Sequence, residues 1–176
     1  ACHTPTVKRG REDASIDKAA VSTTIDMADW RFALSKIVKK MQTSRFFNQG
    51  GKRTIAVADF VNDSPEHLQT DFLREMLEEE IINVGNFRLV DEKNRGKMIE
   101  TMLKQSGASN LFDPTTVAAV GNQFGVQYFF QGKVIGQRER GYDRVRTQYL
   151  VSVEVVDVST AEKVFKKTVP VTKQLQ

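Results

Sequence analysis

The sequence predicts an α+β domain: a small mixed β-sheet that ends in a C-terminal antiparallel meander and is flanked by about four helices. Three observations predict this class. Apolar residues recur at helical spacing in the first part of the chain, two short segments rich in β-branched and aromatic residues interrupt the helices, and alternating segments dominate the rest. Such an order is typical of helices packed on one sheet.

The chain divides into two regions of different composition. Residues 3–23 mix charges of both signs with small polar side chains and show no apolar periodicity, which predicts a flexible tail over residues 1–23. Residues 24–176 are enough to bury a core, so we predict one globular domain there. No window of the sequence approaches the ~20 apolar residues that a membrane-spanning helix needs.

The first predicted element is an amphipathic helix that begins near Thr24. Asp26 and Asp29 lie in its first turns, and Lys39 and Lys40 lie in its last turn, as the helix dipole favours. Its apolar residues recur every three to four positions and so share one face: Met27, Trp30, Leu34, Ile37, Val38 and Met41.

A strand, a helix and a second strand follow. Residues 54–62 are rich in β-branched and aromatic side chains and predict the first strand. Ser64 as the N-cap and Pro65 at the first helical position predict that the second helix begins there, and Gly85 ends it. Residues 87–92 form the second predicted strand.

Two more helices are predicted before the meander. The third covers about residues 94–105. The fourth begins at Asp113, with Pro114 at its first position, and ends at Gly125.

Three strands form the predicted meander: 127–139, 144–158 and 163–171. The second of these alternates between an apolar face and a polar face, which indicates that one side is buried and the other is solvated. Pro170 has no N–H group to donate, so the last strand lies at an edge of the sheet or ends there.

The predicted hairpin at residues 136–148 is the best candidate for a binding surface. Alternation within each strand predicts one exposed face for Arg138, Arg140, Arg144 and Arg146. Guanidinium groups bind carboxylates and phosphates as forks, so this patch is a candidate docking site. The alternative is a charged hairpin that keeps the protein soluble and prevents edge-to-edge pairing. Nucleic acid is not expected as a partner, because the net charge is a modest +4 and no RNP-like motif occurs.

The sequence contains few of the residues and motifs that enzymes use for catalysis. Its two histidines are His3, in the tail, and His67, in the first turn of a predicted helix, and no G-x-S-x-G nucleophile elbow occurs. Cysteine and histidine are too few for a typical metal site, and no complete phosphate-binding loop is present. We therefore expect no catalysis, no cofactor and no small-molecule substrate.

The order of these segments resembles the CsgG-related lipoprotein superfamily and, within it, the LpoB branch of penicillin-binding-protein activators. TIAVADFVNDS and FLREMLEEEIINVGNFRLVDEKNR resemble the strand-helix-strand of the superfamily, and DPTTVAAVGNQFGVQYFFQGKV and YLVSVEVVDVSTAEKVF resemble its later helix and meander. IDMADW, LSKIVKKM, SRFF and VNDSPEHLQTD favour the LpoB branch. The resemblance covers about residues 24–173 and implies a mixed sheet flanked by helices, similar to the TolB amino-terminal domain.

The resemblance also implies a role for the lone cysteine. Members are bacterial lipoproteins whose first mature residue is a lipidated cysteine, and ACHTPT resembles a lipobox in which Ala1 precedes Cys2. Cys2 is therefore the expected lipid anchor, and residues 1–23 are its tether. His3 follows the cysteine where an aspartate would retain an enterobacterial lipoprotein in the inner membrane, so the outer membrane is expected, with the domain facing the periplasm.

The implied partner is the regulatory domain of a bifunctional penicillin-binding protein, an inner-membrane peptidoglycan synthase that a non-catalytic activator stimulates by favouring its active conformation. An alternative is another CsgG-like envelope lipoprotein that acts in secretion or surface-organelle assembly, whose pore-forming members carry membrane hairpins that this sequence does not show. A cytoplasmic binding module would require Cys2 to have no role.

The chain departs from its relatives at two places. The best-known enterobacterial members have a much longer, proline-rich tail, whereas this tail contains Pro5 as its single proline. Relatives often have glycine in the last turn, where this chain has Ala161. A positive φ at Ala161 would be unfavourable by roughly 1 kcal/mol.

Overall fold

The computed structural model describes residues 24–107, 111–141 and 145–175. Within these ranges, none of the helices is both long and apolar enough to cross a lipid bilayer. The described elements are α1 (Met27–Gln42), β1 (Arg53–Val57), β2 (Val61–Asp63), α2 (Thr70–Asn83), β3 (Phe87–Leu89), α3 (Glu92–Ser106), α4 (Pro114–Gln123), β4 (Tyr128–Arg140), β5 (Val145–Asp157) and β6 (Glu162–Leu175).

The strands form one mixed sheet in the order β3-β1-β4-β5-β6, with β2 paired to β4 beyond the end of β1. Strand β1 is parallel to β3 and β4, while β4, β5 and β6 form an antiparallel meander. The α+β class is therefore confirmed. The predicted strand at 54–62 is in fact two strands, and β6 lies at the edge that Pro170 indicated.

Helix α1 begins with a capping box. The Asp26 carboxylate accepts hydrogen bonds from the backbone N–H groups of Ala28 and Asp29, at 2.9 and 3.1 Å, and the Asp29 carboxylate accepts one from the Asp26 N–H at 2.9 Å. Met27 departs from the predicted inner face, because it is 47% exposed in the first turn. Burial confirms the rest of that face: Trp30, Leu34, Ile37, Val38 and Met41.

Helix α2 begins at Thr70, so the prediction that it starts at Ser64 and Pro65 is wrong. The backbone N–H and the hydroxyl of Ser64 both donate to the side-chain oxygen of Asn62, at 3.1 and 2.7 Å. The Asn62 amide in turn donates to the backbone carbonyl of Glu66 at 2.7 Å. Ser64 therefore closes a turn after β2 instead of capping a helix.

The N-termini of α3 and α4 have side-chain caps. The Asp91 carboxylate accepts a hydrogen bond from the Asn94 N–H, and the Asp113 carboxylate accepts one from the Thr116 N–H, each at 3.0 Å. Pro114 occupies the first turn of α4, as the sequence predicts.

Each face of the sheet packs against a pair of helices. Helices α1 and α2 cover the larger core, which includes Phe130 and Val153, and we call this side the α1–α2 face. Helices α3 and α4 cover a smaller core, which includes Phe129 and Val156, on the α3–α4 face. Consecutive residues point to opposite faces of a strand, so Phe129 and Phe130 belong to different cores.

Two backbone positions constrain the strands. A Cβ atom at Gly132 in β4 would lie 2.3 Å from the ring of Phe60, which is buried against the strand at this point. Only glycine permits so close an approach. In the turn between β5 and β6, Ala161 has a φ of 57°, so the positive φ considered from the sequence is present.

Candidate partner-binding surfaces

The last three strands continue together past the end of β1, and their register fixes where the hairpin arginines lie. We call residues 132–140, 145–153 and 167–175 the distal sheet. In this register Arg138 is opposite Thr147, and Glu139 is opposite Arg146. Residues opposite each other in an antiparallel pair share a face, and neighbours along a strand alternate between faces.

The prediction that the four hairpin arginines share one exposed face is therefore wrong. Arg138 and Arg140 lie on the α1–α2 face, whereas Arg146 lies on the α3–α4 face. Alternation predicts which residues share a face within one strand. The register between two strands determines which arginines of both strands lie on the same face. Arg144 and the predicted anchor Cys2 lie outside the described residues.

An ion cluster joins the start of α1 to the distal sheet. Lys173 lies opposite Thr147 and so shares a row with Arg138. The Lys173 ammonium group lies 2.7 Å from the carboxylates of both Asp26 and Asp29. Burial of the ammonium lowers its pKa, but the two carboxylates outweigh burial and raise the pKa of Lys173 above its ordinary value.

A second polar contact holds the loop before α2 on the same face. The Tyr149 side chain is buried, and its hydroxyl donates to the Glu66 carboxylate. Burial, together with this carboxylate, raises the pKa of Tyr149 well above its usual range. The two contacts fix the end of the α1–α2 face that borders Arg138.

Among the described residues, little covers the opposite side of the distal sheet. Ile135, Leu150 and Pro170 are directly opposite one another on the three strands and form what we call the apolar row. Ile135 and Leu150 are 41% and 42% exposed. With Gln137 and Gln148 they line a shallow depression of about 120 Å³.

A buried polar row separates this open region from the core beneath α3 and α4. The Gln131 amide donates to the Glu154 carboxylate and to the backbone carbonyl of Phe112, each at 2.9 Å. Lys163 lies 3.0 Å from the same carboxylate, which is almost fully buried. These contacts pair the charge of Glu154 at the border of the core and give it a structural role.

A cluster of charged side chains around Arg74 and Arg95 also has a structural explanation. Arg74 lies 2.8 Å from the Asp59 carboxylate and 2.9 Å from the Glu78 carboxylate, and Arg95 pairs with both Glu92 and Asp59. These contacts connect α2 and α3 to the loop after β1. Both guanidinium groups are thus already engaged by carboxylates.

The described residues show no cluster of side chains suited to metal binding. His67 lies exposed in the loop before α2 rather than in a helix. No group of three or more histidine, cysteine, aspartate or glutamate side chains that could hold a metal ion occurs in the described ranges. The surfaces above are suited to contact with another macromolecule.

Sequence reasoning missed Lys173 and the apolar row. Lys173 meets Asp26 across nearly the whole chain, and no local pattern signals such a contact. For Ile135 and Leu150 a signal was present, because each occupies the polar face of an alternating strand.

Comparison with known families and structures gives a consistent result. The family described as "Peptidoglycan-synthase activator LpoB" matches residues 23–171. The comparison with curated proteins gives no significant match.

Solved structures of LpoB share the fold at low sequence identity. The LpoB C-terminal domain from Salmonella enterica has a TM-score of 0.57 and 19% identity, with 81% of this chain and 98% of that chain covered. The LpoB C-terminal domain from Escherichia coli has a TM-score of 0.55 and 18% identity, with the same 81% of this chain and 98% of that chain covered. The NMR structure of E. coli LpoB gives a TM-score of 0.56 and 16% identity, with 99% of this chain and 84% of that chain covered.

Proposed function

This chain belongs to the LpoB family of peptidoglycan-synthase activators, and we propose that it is a non-catalytic lipoprotein that binds and stimulates a bifunctional penicillin-binding protein. The family match over residues 23–171 carries the proposal. An activator of this kind shifts its partner towards the active conformation, and it does so only if it binds that conformation more tightly than the resting one.

Direct binding tests the proposed partner. We expect the 176-residue chain carrying Cys2→Ser, which is not lipidated, to bind a purified bifunctional penicillin-binding protein in detergent. A monofunctional transpeptidase, immobilised in the same way, is the control. Equal binding to both enzymes, or to neither, would contradict the proposal.

The proposal includes a lipid anchor at Cys2 in the outer membrane, with residues 1–23 as the tether to a domain in the periplasm. It is supported by the resemblance of ACHTPT to a lipobox. In cells that express the native precursor, we expect the protein in the outer-membrane fraction and the Cys2→Ser variant in the soluble fraction. An unchanged distribution of the variant would contradict the anchor.

The basic edge of the α1–α2 face is the proposed contact for an acidic part of the synthase. Arg138 and Arg140 are exposed there, and Arg138 shares its row with Lys173. Arg146 belongs to the other face, so we do not include it. Each of the two exposed guanidinium groups can form a forked pair with a carboxylate of the partner.

Charge reversal tests this contact. We expect Arg138→Glu/Arg140→Glu to weaken synthase binding by about tenfold, because both partner carboxylates would face like charges. Thermal stability should change little, since both side chains are exposed. Arg146→Glu/Lys97→Glu makes the same change in net charge at other exposed sites and is the matched control. If both variants bind alike, the contact lies elsewhere.

A further inference from the structure

An apolar groove with an acidic rim lies between α1 and α2. Its volume is about 490 Å³. Met27 from α1 and Phe72 and Met76 from α2 supply its apolar lining. Flexible methionine side chains adapt well to a partner surface.

The acidic rim comes from α2. Glu75, Glu79 and Glu80 line the groove, opposed by Arg31 as its single cation among the described lining residues. Glu75 contacts Arg74 at 3.4 Å. In the described part of the chain, no side chain forms an ion pair or hydrogen bond with Glu79 or Glu80. The groove is thus negative on a protein whose net charge is +4.

The position of these carboxylates is unfavourable for the fold itself. Glu79 and Glu80 lie near the C-terminus of α2, where the helix dipole already places partial negative charge. Helix α2 has no basic residue in its last turn, whereas α1 and α3 have lysines there. A partner that brings cations would remove this repulsion.

The start of α1 links the groove to the row of residues that holds Arg138. Met27 directly follows Asp26, whose carboxylate pairs with Lys173 in the row of Arg138. The surface around the start of α1 therefore combines the negative groove with the row that carries Arg138. Such a surface selects a partner with the complementary arrangement of charge.

We propose that the α1–α2 groove binds a basic, apolar segment of the synthase, whose apolar side chains contact Met27, Phe72 and Met76 while its lysines or arginines pair with Glu79 and Glu80. This rests on the proposed function and adds the second half of the interface. The expected mode is an extended or helical segment held by apolar anchors inside a charged rim.

Charge reversal in the groove tests this proposal. The variant is Glu79→Lys/Glu80→Lys in the 176-residue chain with Cys2→Ser, and the matched control is Glu100→Lys/Glu162→Lys, which makes the same charge change at exposed sites. We expect the groove variant to bind a purified bifunctional synthase about tenfold more weakly, and the control to stay within about twofold. Thermal stability should be equal or higher, because cations are favourable at the end of α2.

A second variant tests the apolar lining without changing charge. Met27→Ser removes an exposed apolar anchor from the first turn of α1, and we expect a loss of affinity of several-fold with little change in stability. If both groove variants bind as tightly as the parent chain, the proposal is wrong although the proposed function stands. If the parent chain binds no synthase, the proposed function fails and the proposal falls with it.

Self-association is the remaining alternative for the groove. Sedimentation of the parent chain and of Glu79→Lys/Glu80→Lys, over a range of concentrations, distinguishes it. We expect the same species for both. An oligomer that the groove variant lacks would mean that a second copy occupies the groove, and it would overturn the proposal.

Discussion

The two faces of the distal sheet differ in what covers them. On the α1–α2 face, Tyr149 and Val151 are fully buried, and the start of α1 is joined to the strands through Lys173. On the α3–α4 face, the core beneath the helices includes Phe129 and Val156, which lie outside the distal sheet. Within the distal sheet, Ile135 and Leu150 are exposed on this face. The same three strands therefore bury much of one face against α1 and leave an apolar row of the other face exposed.

Truncation on the two sides of the sheet should give the largest difference. Phe130→Ala removes a fully buried ring that packs against Phe46 and Phe87. We expect the free energy of unfolding to fall by about 3–5 kcal/mol. Leu150→Ala in the apolar row should lower it by about 1 kcal/mol or less, since much of the side chain already contacts water. Urea unfolding of both variants measures the contrast, and equal losses would contradict it.

Alkaline pH should weaken the covered face. The pKa of Tyr149 and the pKa of Lys173 are both raised in the folded protein. A group whose pKa is higher in the folded protein stabilises the fold while it is protonated. This stabilisation is fully present below the pKa of the group in the unfolded chain, about 10 for tyrosine, and is lost as pH rises through the folded-state pKa. While one such group is protonated only in the folded state, the free energy of unfolding falls by about 1.4 kcal/mol per pH unit.

The variant Tyr149→Phe isolates the contribution of this phenol. We expect the free energy of unfolding of the variant to fall less steeply above pH 10 than that of the parent chain. In the ultraviolet titration of tyrosine, the ionisation at the highest pH should disappear. Chemical denaturation at several alkaline pH values measures the slope. If the stability of the variant and of the parent chain falls equally steeply with pH, the pKa of Tyr149 is not raised in the folded protein.

The smallest expected effect lies in the turn that leads into β6, outside both faces. Ala161→Gly relieves the positive φ of 57° but also increases the freedom of the unfolded chain. We expect a gain of about 0.5–1 kcal/mol in the free energy of unfolding. Thermal and urea unfolding measure it. A loss of stability would mean that the alanine methyl group contributes packing that outweighs the strain.

The parts of the fold that follow from local patterns were predictable. The apolar spacing of α1, the cap at Asp113 and the alternation of β5 each depend on residues close in sequence. The start of α2 was not predictable, because Ser64 donates hydrogen bonds to Asn62 in a turn and does not cap a helix. The local sequence around Ser64 fits both a turn and the start of a helix.

The candidate surfaces depend on long-range geometry. Which hairpin arginines share a face follows from the register of β4 against β5, and alternation in either strand alone does not determine it. The groove needs the packing of α1 against α2, since Met27 and Met76 are far apart in the sequence. Helical spacing placed Met27 in the core, but it lies in the first turn, beside α2.

Stimulation of glycan polymerisation tests the central claim most directly. The measurement is the rate of glycan-chain formation by purified bifunctional penicillin-binding proteins of the host, with and without the 176-residue chain carrying Cys2→Ser. We predict a several-fold increase for one synthase and not for another. An unchanged rate for every synthase, with the chain shown to be folded, would contradict the activator function and favour the alternative role in envelope assembly.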